Sequence, residues 1–184
     1  MIEQEINPQK NVKIVIPDTS SVGEFINTIE EVSKWTHFYK DTMWPRSPEK
    51  IKSYFQKGHS VLLVNEKTDE LLAHGAIKWI SDVNPILEIG TVVVNPKYKG
   101  LGYGTKVTKA VIEHANVMYP EKTQFAFCNP SSLGILKKLG AIEAQINDLP
   151  LEVWEGCATC PNKPKPETGK FCCDTIVFFP KVIN

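Results

Sequence analysis

The chain has 184 residues, of which 42% are hydrophobic, so we expect one buried core and a single domain over residues 1–184 rather than two ordinary domains. Acidic and basic side chains balance at 21 each, so no overall charge draws the protein to nucleic acid or to a membrane surface. Because the sequence shows no signal peptide and no apolar run of about 20 residues, we expect a cytoplasmic protein without membrane or nucleic-acid partners.

The first part of the chain predicts one strand followed by two helices. Residues 12–16 are nearly all β-branched, as in a short strand. Ser21 and Glu24 have the spacing of a capping box, so the first helix should begin at Ser21. Serine followed by proline opens a second predicted helix over residues 47–58, which a glycine ends.

The middle of the chain predicts three strands that are separated by short polar turns. They cover residues 60–64, 71–80 and 86–94. Connections this short join antiparallel neighbours, so we expect an antiparallel meander.

The segment after the third of these strands predicts a site for phosphate. Residues 99–104 read Lys-Gly-Leu-Gly-Tyr-Gly and precede a predicted helix whose apolar face is formed by Val107, Val111, Ala115 and Met118. Bare glycines at the start of a helix let several N–H groups converge on an anion, which the helix dipole favours. The segment lacks the Gly-Lys-Ser/Thr of a P-loop, and Thr105 stands where a dinucleotide-binding turn has its third glycine.

Further elements follow this predicted helix. Residues 123–128 predict a strand, Asn129 and a proline open a short helix over residues 131–139, and residues 141–145 are again extended. Apart from a last strand in the tail, TIVFF, the predicted order is β, α, α, β, β, β, α, β, α, β.

This turn and this order of elements resemble the GCN5-related N-acetyltransferases (GNAT). Residues 99–104 are similar to the family's Arg/Gln-x-x-Gly-x-Gly/Ala signature, with lysine at position 99, and residues 94–98 are similar to the run that precedes it. The resemblance covers residues 12–145 and implies an α/β fold with a mixed, mostly antiparallel twisted sheet flanked by helices.

The resemblance also implies acetyl-coenzyme A (acetyl-CoA) as co-substrate. The turn would hold its pyrophosphate, and the splayed strand before the turn would pair with its pantetheine arm. The implied coenzyme-binding residues are Val92, Val93, Val94, Lys99, Gly100, Leu101, Gly102, Tyr103, Gly104, Thr105, Asn129 and Ser132. A plain helix N-cap is an equally good interpretation of Asn129.

Acetyl transfer to an amine needs a base and a proton for the departing thiolate. Glu88 is the first candidate base, because it is the one acid in an apolar strand and its place resembles that of the glutamate base in related histone acetyltransferases. A solvent-facing glutamate is the alternative. His74 is the second candidate base, although a lone histidine in a strand is more often simply packed. Leu136 stands where many members carry a tyrosine acid, so water, Tyr103 or another group would supply the proton, or the thiolate would leave unaided.

The tail over residues 146–184 should form a cysteine-bearing hairpin. Cys157, Cys160, Cys172 and Cys173 could enclose a structural zinc, although the last two are adjacent and should point to opposite faces. Packing without metal and, less so, redox chemistry are the alternatives. The Leu-Pro, Val-Trp, Cys-x-x-Cys-Pro and Cys-Asp elements of the tail resemble small amino-acid acetyltransferases related to N-acetylglutamate synthase.

These observations together predict an acetyl-CoA-dependent N-acetyltransferase that acts on a small-molecule amine, for which an amino acid is one candidate. Two alternatives stay open at this point. One is a non-catalytic domain that binds or senses acyl-CoA, and the other is a protein N-acetyltransferase. The sequence leaves a homodimer open as well.

Overall fold

The computed structural model describes residues 11–145, 148–154 and 175–180. Within them, seven strands form one sheet in the order β1-β2-β3-β4-β5-β7-β6. Only β4 and β5 are parallel, and every other neighbouring pair is antiparallel. The strands are β1 (Val12–Val15), β2 (Ser60–Asn65), β3 (Leu71–Ile80), β4 (Ile86–Val94), β5 (Thr123–Cys128), β6 (Ile142–Ala144) and β7 (Thr175–Phe179). The predicted mixed, mostly antiparallel sheet is confirmed.

Four α-helices in the described residues flank this sheet. They are α1 (Ile26–Phe38), α2 (Pro48–Gln56), α3 (Tyr103–Met118) and α4 (Pro130–Lys138). The predicted capping of α2 is confirmed, since the Ser47 hydroxyl accepts a hydrogen bond of 3.3 Å from Lys50 N. No helix in the described ranges combines the length and the apolar character that crossing a membrane requires.

The start of the first helix differs from the prediction. A 3-10 helix, Thr19–Phe25, leads into α1, and its N-cap is Asp18, whose carboxylate accepts a hydrogen bond of 2.8 Å from Ser20 N. The Ser21 hydroxyl instead donates to Asp18 O. The capping box predicted at Ser21 is therefore wrong, because the Asp18 carboxylate caps the preceding 3-10 helix instead.

The sheet has a core on each face. Helices α1 and α2 cover one face, where Val32 and Phe55 pack on Ala76 and Val93. Helix α3 covers the other face with Val107, Val111 and Ala115, and α4 covers the β5–β7 end of that face. Met118, predicted for the buried stripe, is 36% exposed because it is the last residue of α3.

The tail is described only in part. Strand β7 is present as predicted and lies between β5 and β6. Cys157, Cys160, Cys172 and Cys173 fall outside the described residues, so the zinc site stays a prediction. Within the described residues, no three histidine, cysteine or acidic side chains are grouped to hold a metal.

Candidate active site

The parallel strands β4 and β5 separate after a short pairing. Their register runs from Ile86 opposite Thr123 to Glu88 opposite Phe125. Beyond that point β4 continues to Val94 beside β3 alone, and β5 continues beside β7 alone. One edge of residues 89–94 therefore has no strand partner in the described part of the chain. Such an edge presents free N–H and C=O groups to an extended ligand.

A bulge in β4 lies just beyond the separation. His74 of β3 is opposite Val93, whereas Ala76 is opposite Gly90, so β4 contains one extra residue. Thr91 lies inside the bulge and has a φ of +50°, in the left-handed region that β-branched residues rarely adopt. Bulges are frequent next to active sites, where they redirect a strand.

The contacts of His74 stabilise this bulge. Its Nδ1–H donates to Thr91 O over 3.1 Å, and its Nε2 accepts from the Ser60 hydroxyl over 3.2 Å. The ring also stacks on Phe55 with centroids 6.1 Å apart. Burial lowers the pKa of His74 to about 4, partly opposed by the hydrogen bond to Thr91. With no exposed surface and both nitrogens engaged, His74 is better suited to hold the bulge than to act as the second predicted base.

Glu88 lies at the last position of β4 that pairs with β5. Its side chain does not face solvent, because the residue is only 6% exposed. Its Oε1 accepts a hydrogen bond of 2.5 Å from Lys78 Nζ. Lys78 Nζ also lies 5.9 Å from the centroid of the Phe127 ring. Gly90 leaves room for this arrangement, because a Cβ there would lie 3.0 Å from Lys78 Cδ.

Lys78 was absent from the predicted site because the register between β3 and β4, which brings it to Glu88, depends on tertiary structure; a second bulge lies at this point. Ile77 is opposite Ile89 and Trp79 is opposite Glu88, which makes Lys78 an extra residue in β3. Without the bulge, the register of Ile77 with Ile89 would place Lys78 directly opposite Glu88, so both side chains lie on the same face of the sheet. The one sequence signal is a lysine and a glutamate in consecutive strands.

The glycine turn between β4 and α3 is open. Gly100 and Gly102 have φ values of +88° and +80°, which glycine adopts without strain. Gly102 is the N-cap of α3 and has no side chain to cap the helix, whose first N–H groups have no acceptor within the helix itself. A Cβ at either glycine would meet no atom within 4 Å. The turn therefore has the geometry that the predicted phosphate site requires.

The ring of Tyr103 does not belong to this open surface. It is 1% exposed and packs edge-on against Tyr98, with centroids 6.2 Å apart. The first residue of α3 faces the core here, so the Tyr103 ring is poorly placed to donate a proton. The predicted coenzyme contact of Tyr103 stays a prediction.

Asn129 and Ser132 form a capping box at the start of α4. The Asn129 side chain accepts from Ser131 N and Ser132 N, each over 3.0 Å, and the Ser132 hydroxyl accepts from Asn129 N. Asn129 Nδ2 donates to Thr42 O over 2.7 Å. These bonds favour the N-cap interpretation of Asn129, and the predicted coenzyme contacts of both residues stay predictions.

The loop after α1 spans the open end of the gap between β4 and β5. On the β4 side, Lys99 Nζ lies 6.0 Å from the centroid of the Tyr39 ring. On the β5 side, Thr42 accepts the hydrogen bond from Asn129. Leu136, at the position of the expected tyrosine, packs in the core under α4. Position 136 therefore supplies no hydroxyl to protonate a thiolate.

An aromatic surface continues from Glu88 along β5 and β7. It is formed by Trp79, Phe125, Phe127, Phe178 and Trp154. Residues 148–154 lie against this surface, and Glu152 ties them to the β3–β4 turn by accepting from the Ser81 hydroxyl and from Asn84 Nδ2. Hydrogen bonds from these two groups lower the pKa of Glu152.

The sequence of residues 29–141 matches the model of the acetyltransferase (GNAT) family. The chain belongs to the acetyltransferase (GNAT) family. This match covers more than half of the chain and confirms the predicted family. Among curated proteins, no sequence matches significantly.

Several solved structures share the fold. Rv2747 from Mycobacterium tuberculosis, solved with CoA, has a TM-score of 0.63 at 13% identity, over 92% of this chain and 99% of that one. N-acetylglutamate synthase from Neisseria gonorrhoeae, solved with CoA and N-acetyl-glutamate, has a TM-score of 0.60 at 16% identity over 91% of this chain. The alignment spans only 34% of the synthase chain. Glucosamine-6-phosphate N-acetyltransferase from Arabidopsis thaliana has a TM-score of 0.52 at 18% identity, over 74% and 95% of the two chains.

Proposed function

We propose that this GNAT protein transfers an acetyl group from acetyl-CoA to the amine of a small molecule. The observation that carries the proposal is the separation of β4 from β5 directly before an open glycine turn at the start of α3. An extended thioester arm and a charged pyrophosphate need these two features side by side. Structures of this fold solved with CoA, including N-acetylglutamate synthase, support acetyl-CoA as the co-substrate.

The coenzyme would be held mainly by backbone groups. The free edge of Val92, Val93 and Val94 can pair with the amide groups of the pantetheine arm, because β3 occupies only the other edge. The N–H groups around Gly102 can bind the pyrophosphate, with the dipole of α3 favouring negative charge. Lys99 is exposed beside the turn and can add one cation.

The buried pair of Glu88 and Lys78 can promote the chemistry. The amine nitrogen attacks the thioester carbonyl, the new N–C bond forms, and the C–S bond breaks. Glu88 takes the proton that the amine loses, either directly or through a water, and the departing thiolate takes a proton from solvent. Lys78 beside the amine disfavours its ammonium form, so the nucleophile is more often neutral.

Leu136 favours one rival function, a domain that binds acyl-CoA without turnover. A protein with the coenzyme site but no group to protonate the thiolate could serve as a sensor. A CoA thiol has an ordinary pKa of about 8.5, however, so its thiolate can leave without an acid from the protein.

Thiol release separates the two functions. Protein, acetyl-CoA and a panel of small amines are mixed, free CoA thiol is followed with a thiol reagent, and the acetylated amine is identified by mass spectrometry. We expect thiol release that depends on an amine and yields an N-acetyl product. Tight CoA binding with no release for any amine would instead support the sensing domain.

A further inference from the structure

Arg46 is the one arginine among the 21 basic residues of the chain. It lies between α1 and α2, and two buried hydroxyl groups of α1 hold its backbone. Thr36 Oγ1 accepts from Arg46 N over 2.8 Å, and Ser33 Oγ donates to Arg46 O over 2.7 Å. The core of α1 therefore determines where this loop residue lies.

The side chain of Arg46 has a hydrogen-bond donor without a partner among the described residues. Its guanidinium carbon lies 4.9 Å from the centroid of the Trp44 ring. Its Nε is buried and has no hydrogen-bond partner among the described residues, and none of the ion pairs found there includes Arg46. An unpaired buried donor on a charged group is costly, and the planar fork of arginine fits a carboxylate or a phosphate.

Lys50 interacts electrostatically both with Arg46 and with the Glu88–Lys78 pair. It lies in the first turn of α2, and its Nζ is 5.4 Å from the centroid of the Tyr54 ring. Burial lowers the pKa of Lys50, with further lowering by Arg46, Lys57 and Lys78 and an opposing effect from Glu88. Lys50 therefore lies within electrostatic reach of both Arg46 and the Lys78–Glu88 pair.

Besides burial, three basic side chains, Arg46, Lys57 and Lys78, lower the pKa of Lys50, whereas Glu88 raises it. Lys78 already contacts the Glu88 carboxylate. The Tyr54 hydroxyl, on the same helix, is buried and also has no hydrogen-bond partner among the described residues. Arg46, Lys50 and Tyr54 therefore bring positive charge, and donors without a partner among the described residues, to α2 and the residues just before it.

We propose that Arg46 and Lys50 bind an anionic group of the acceptor, so that the acceptor is a small amine that carries a carboxylate or a phosphate. This inference rests on the proposed acetyl transfer. The anion would bind the guanidinium fork while the amine reaches Glu88. A polyamine or a lysine side chain would instead bring a further positive charge to these cations and be repelled.

Pairs of amines that differ only in the anion test the proposal. The first pair is an α-amino acid and its amide, and the second is O-phosphoethanolamine and ethanolamine. The amide has the less basic amine and is the better nucleophile at neutral pH, so its chemistry works against the expected result. We expect the anionic member of at least one pair to have a kcat/KM about 10-fold higher or more, and the preferred pair tells carboxylate from phosphate.

Arg46→Gln should lower kcat/KM for the anionic acceptor about 10- to 100-fold, mainly through KM, because charge-assisted hydrogen bonds are lost. The uncharged acceptors and the KM for acetyl-CoA should change little. Arg46→Lys should recover part of the loss, and Lys50→Gln should show a smaller loss. Lys52→Gln is the matched control, because Lys52 is an exposed lysine on the same helix.

Two results would overturn the proposal. One is equal use of the charged and uncharged members of both pairs, and the other is equal behaviour of Arg46→Gln and Lys52→Gln. If the wild type acetylates no amine, acetyl transfer itself fails, and the anion site is then judged by calorimetric titration of the same pairs into CoA-saturated protein. If the wild type binds the anionic member and Arg46→Gln does not, the anion site is supported. If the wild type does not bind it, the anion site is refuted.

Discussion

Glu88 and Lys78 form a buried charged pair where β4 parts from β5. Glu88→Gln keeps the shape of the side chain and its hydrogen bond from Lys78 but removes the proton acceptor. We expect acetyl transfer at neutral pH to fall about 100-fold or more, because general base catalysis is lost. The affinity for CoA, measured by calorimetry, should stay unchanged. Retention of most of the activity would show that the amine loses its proton without Glu88.

A substitution at Gly90 tests the Glu88–Lys78 pair in a second way. A methyl group there would lie 3.0 Å from Lys78 Cδ, so the lysine stem must shift, which a flexible side chain can do at low cost. The free energy of unfolding of Gly90→Ala should therefore stay within about 1 kcal/mol of the wild-type value. Its acetyl transfer should nevertheless be slower. Thermal unfolding and thiol release measured on the same sample check both halves. Wild-type activity in Gly90→Ala would mean that the position of Lys78 is unimportant.

At the scale of elements, α3 packs closely on β3 at Gly75. A Cβ at Gly75 would lie only 2.8 Å from Val111 Cγ2. Gly75→Ala should therefore destabilise the protein by about 1–3 kcal/mol through overpacking. The matched control is Gly134→Ala, in the interior of α4, where a Cβ meets no atom within 4 Å. That variant should gain up to about 1 kcal/mol of helix propensity. Urea unfolding of both variants should give opposite signs, and equal midpoints would contradict the packing of α3.

Two buried histidines make the contact between elements sensitive to acid. His74 holds β3 to the β4 bulge, and His59 at the start of β2 hydrogen-bonds the Tyr119 hydroxyl at the end of α3 over 2.9 Å. Burial lowers the pKa of each to about 4, helped at His59 by the charges of Lys57 and His114. Both are therefore neutral in the folded protein near pH 6.

The sign of the pH dependence follows from these values. As pH falls through 6.5 the unfolded chain takes up protons that the folded protein does not bind until about pH 4. Stability should therefore be complete above pH 6.5 and fall towards pH 4, by up to about 1.4 kcal/mol per pH unit for each histidine. His59→Gln should reduce the slope of the unfolding free energy between pH 6.5 and 5, whereas the exposed His37→Gln should keep it. A wild type that is equally stable at pH 7 and 5 would contradict this expectation.

At the scale of the whole molecule, the elements that local sequence determines were predicted well. The strand, glycine turn and helix around residues 86–118 follow from apolar periodicity and from glycines at positive φ, which neighbouring residues alone can specify. The cap of α2 at Ser47 is equally local. The family could be assigned from this one unit, and the matched region of residues 29–141 contains it.

Features that depend on tertiary structure were missed. Lys78 reaches Glu88 because of the register between β3 and β4, which the local sequence of either strand does not specify. Tyr103 looked like part of the phosphate surface, but the first turn of α3 places its ring in the core. Nothing in the sequence around Arg46 marks it as a site residue. The side chains that hold its backbone, Ser33 and Thr36, belong to another element.

Calorimetric titration of CoA tests the central claim, that the glycine turn and the free edge of β4 form a coenzyme site. The variants to compare are Gly102→Val and Gly140→Val. Both glycines have positive φ, +80° and +88°, and open space around a Cβ, so the backbone strain of the two substitutions is matched. Gly140 lies beyond α4, away from the turn.

The wild type should bind one CoA per chain. Gly140→Val should bind CoA with unchanged affinity, and Gly102→Val should lose about 10-fold or more, because a side chain then stands between the pyrophosphate and the N–H groups of α3. Failure of the wild type to bind CoA, or equal affinity in the two variants, would contradict the site.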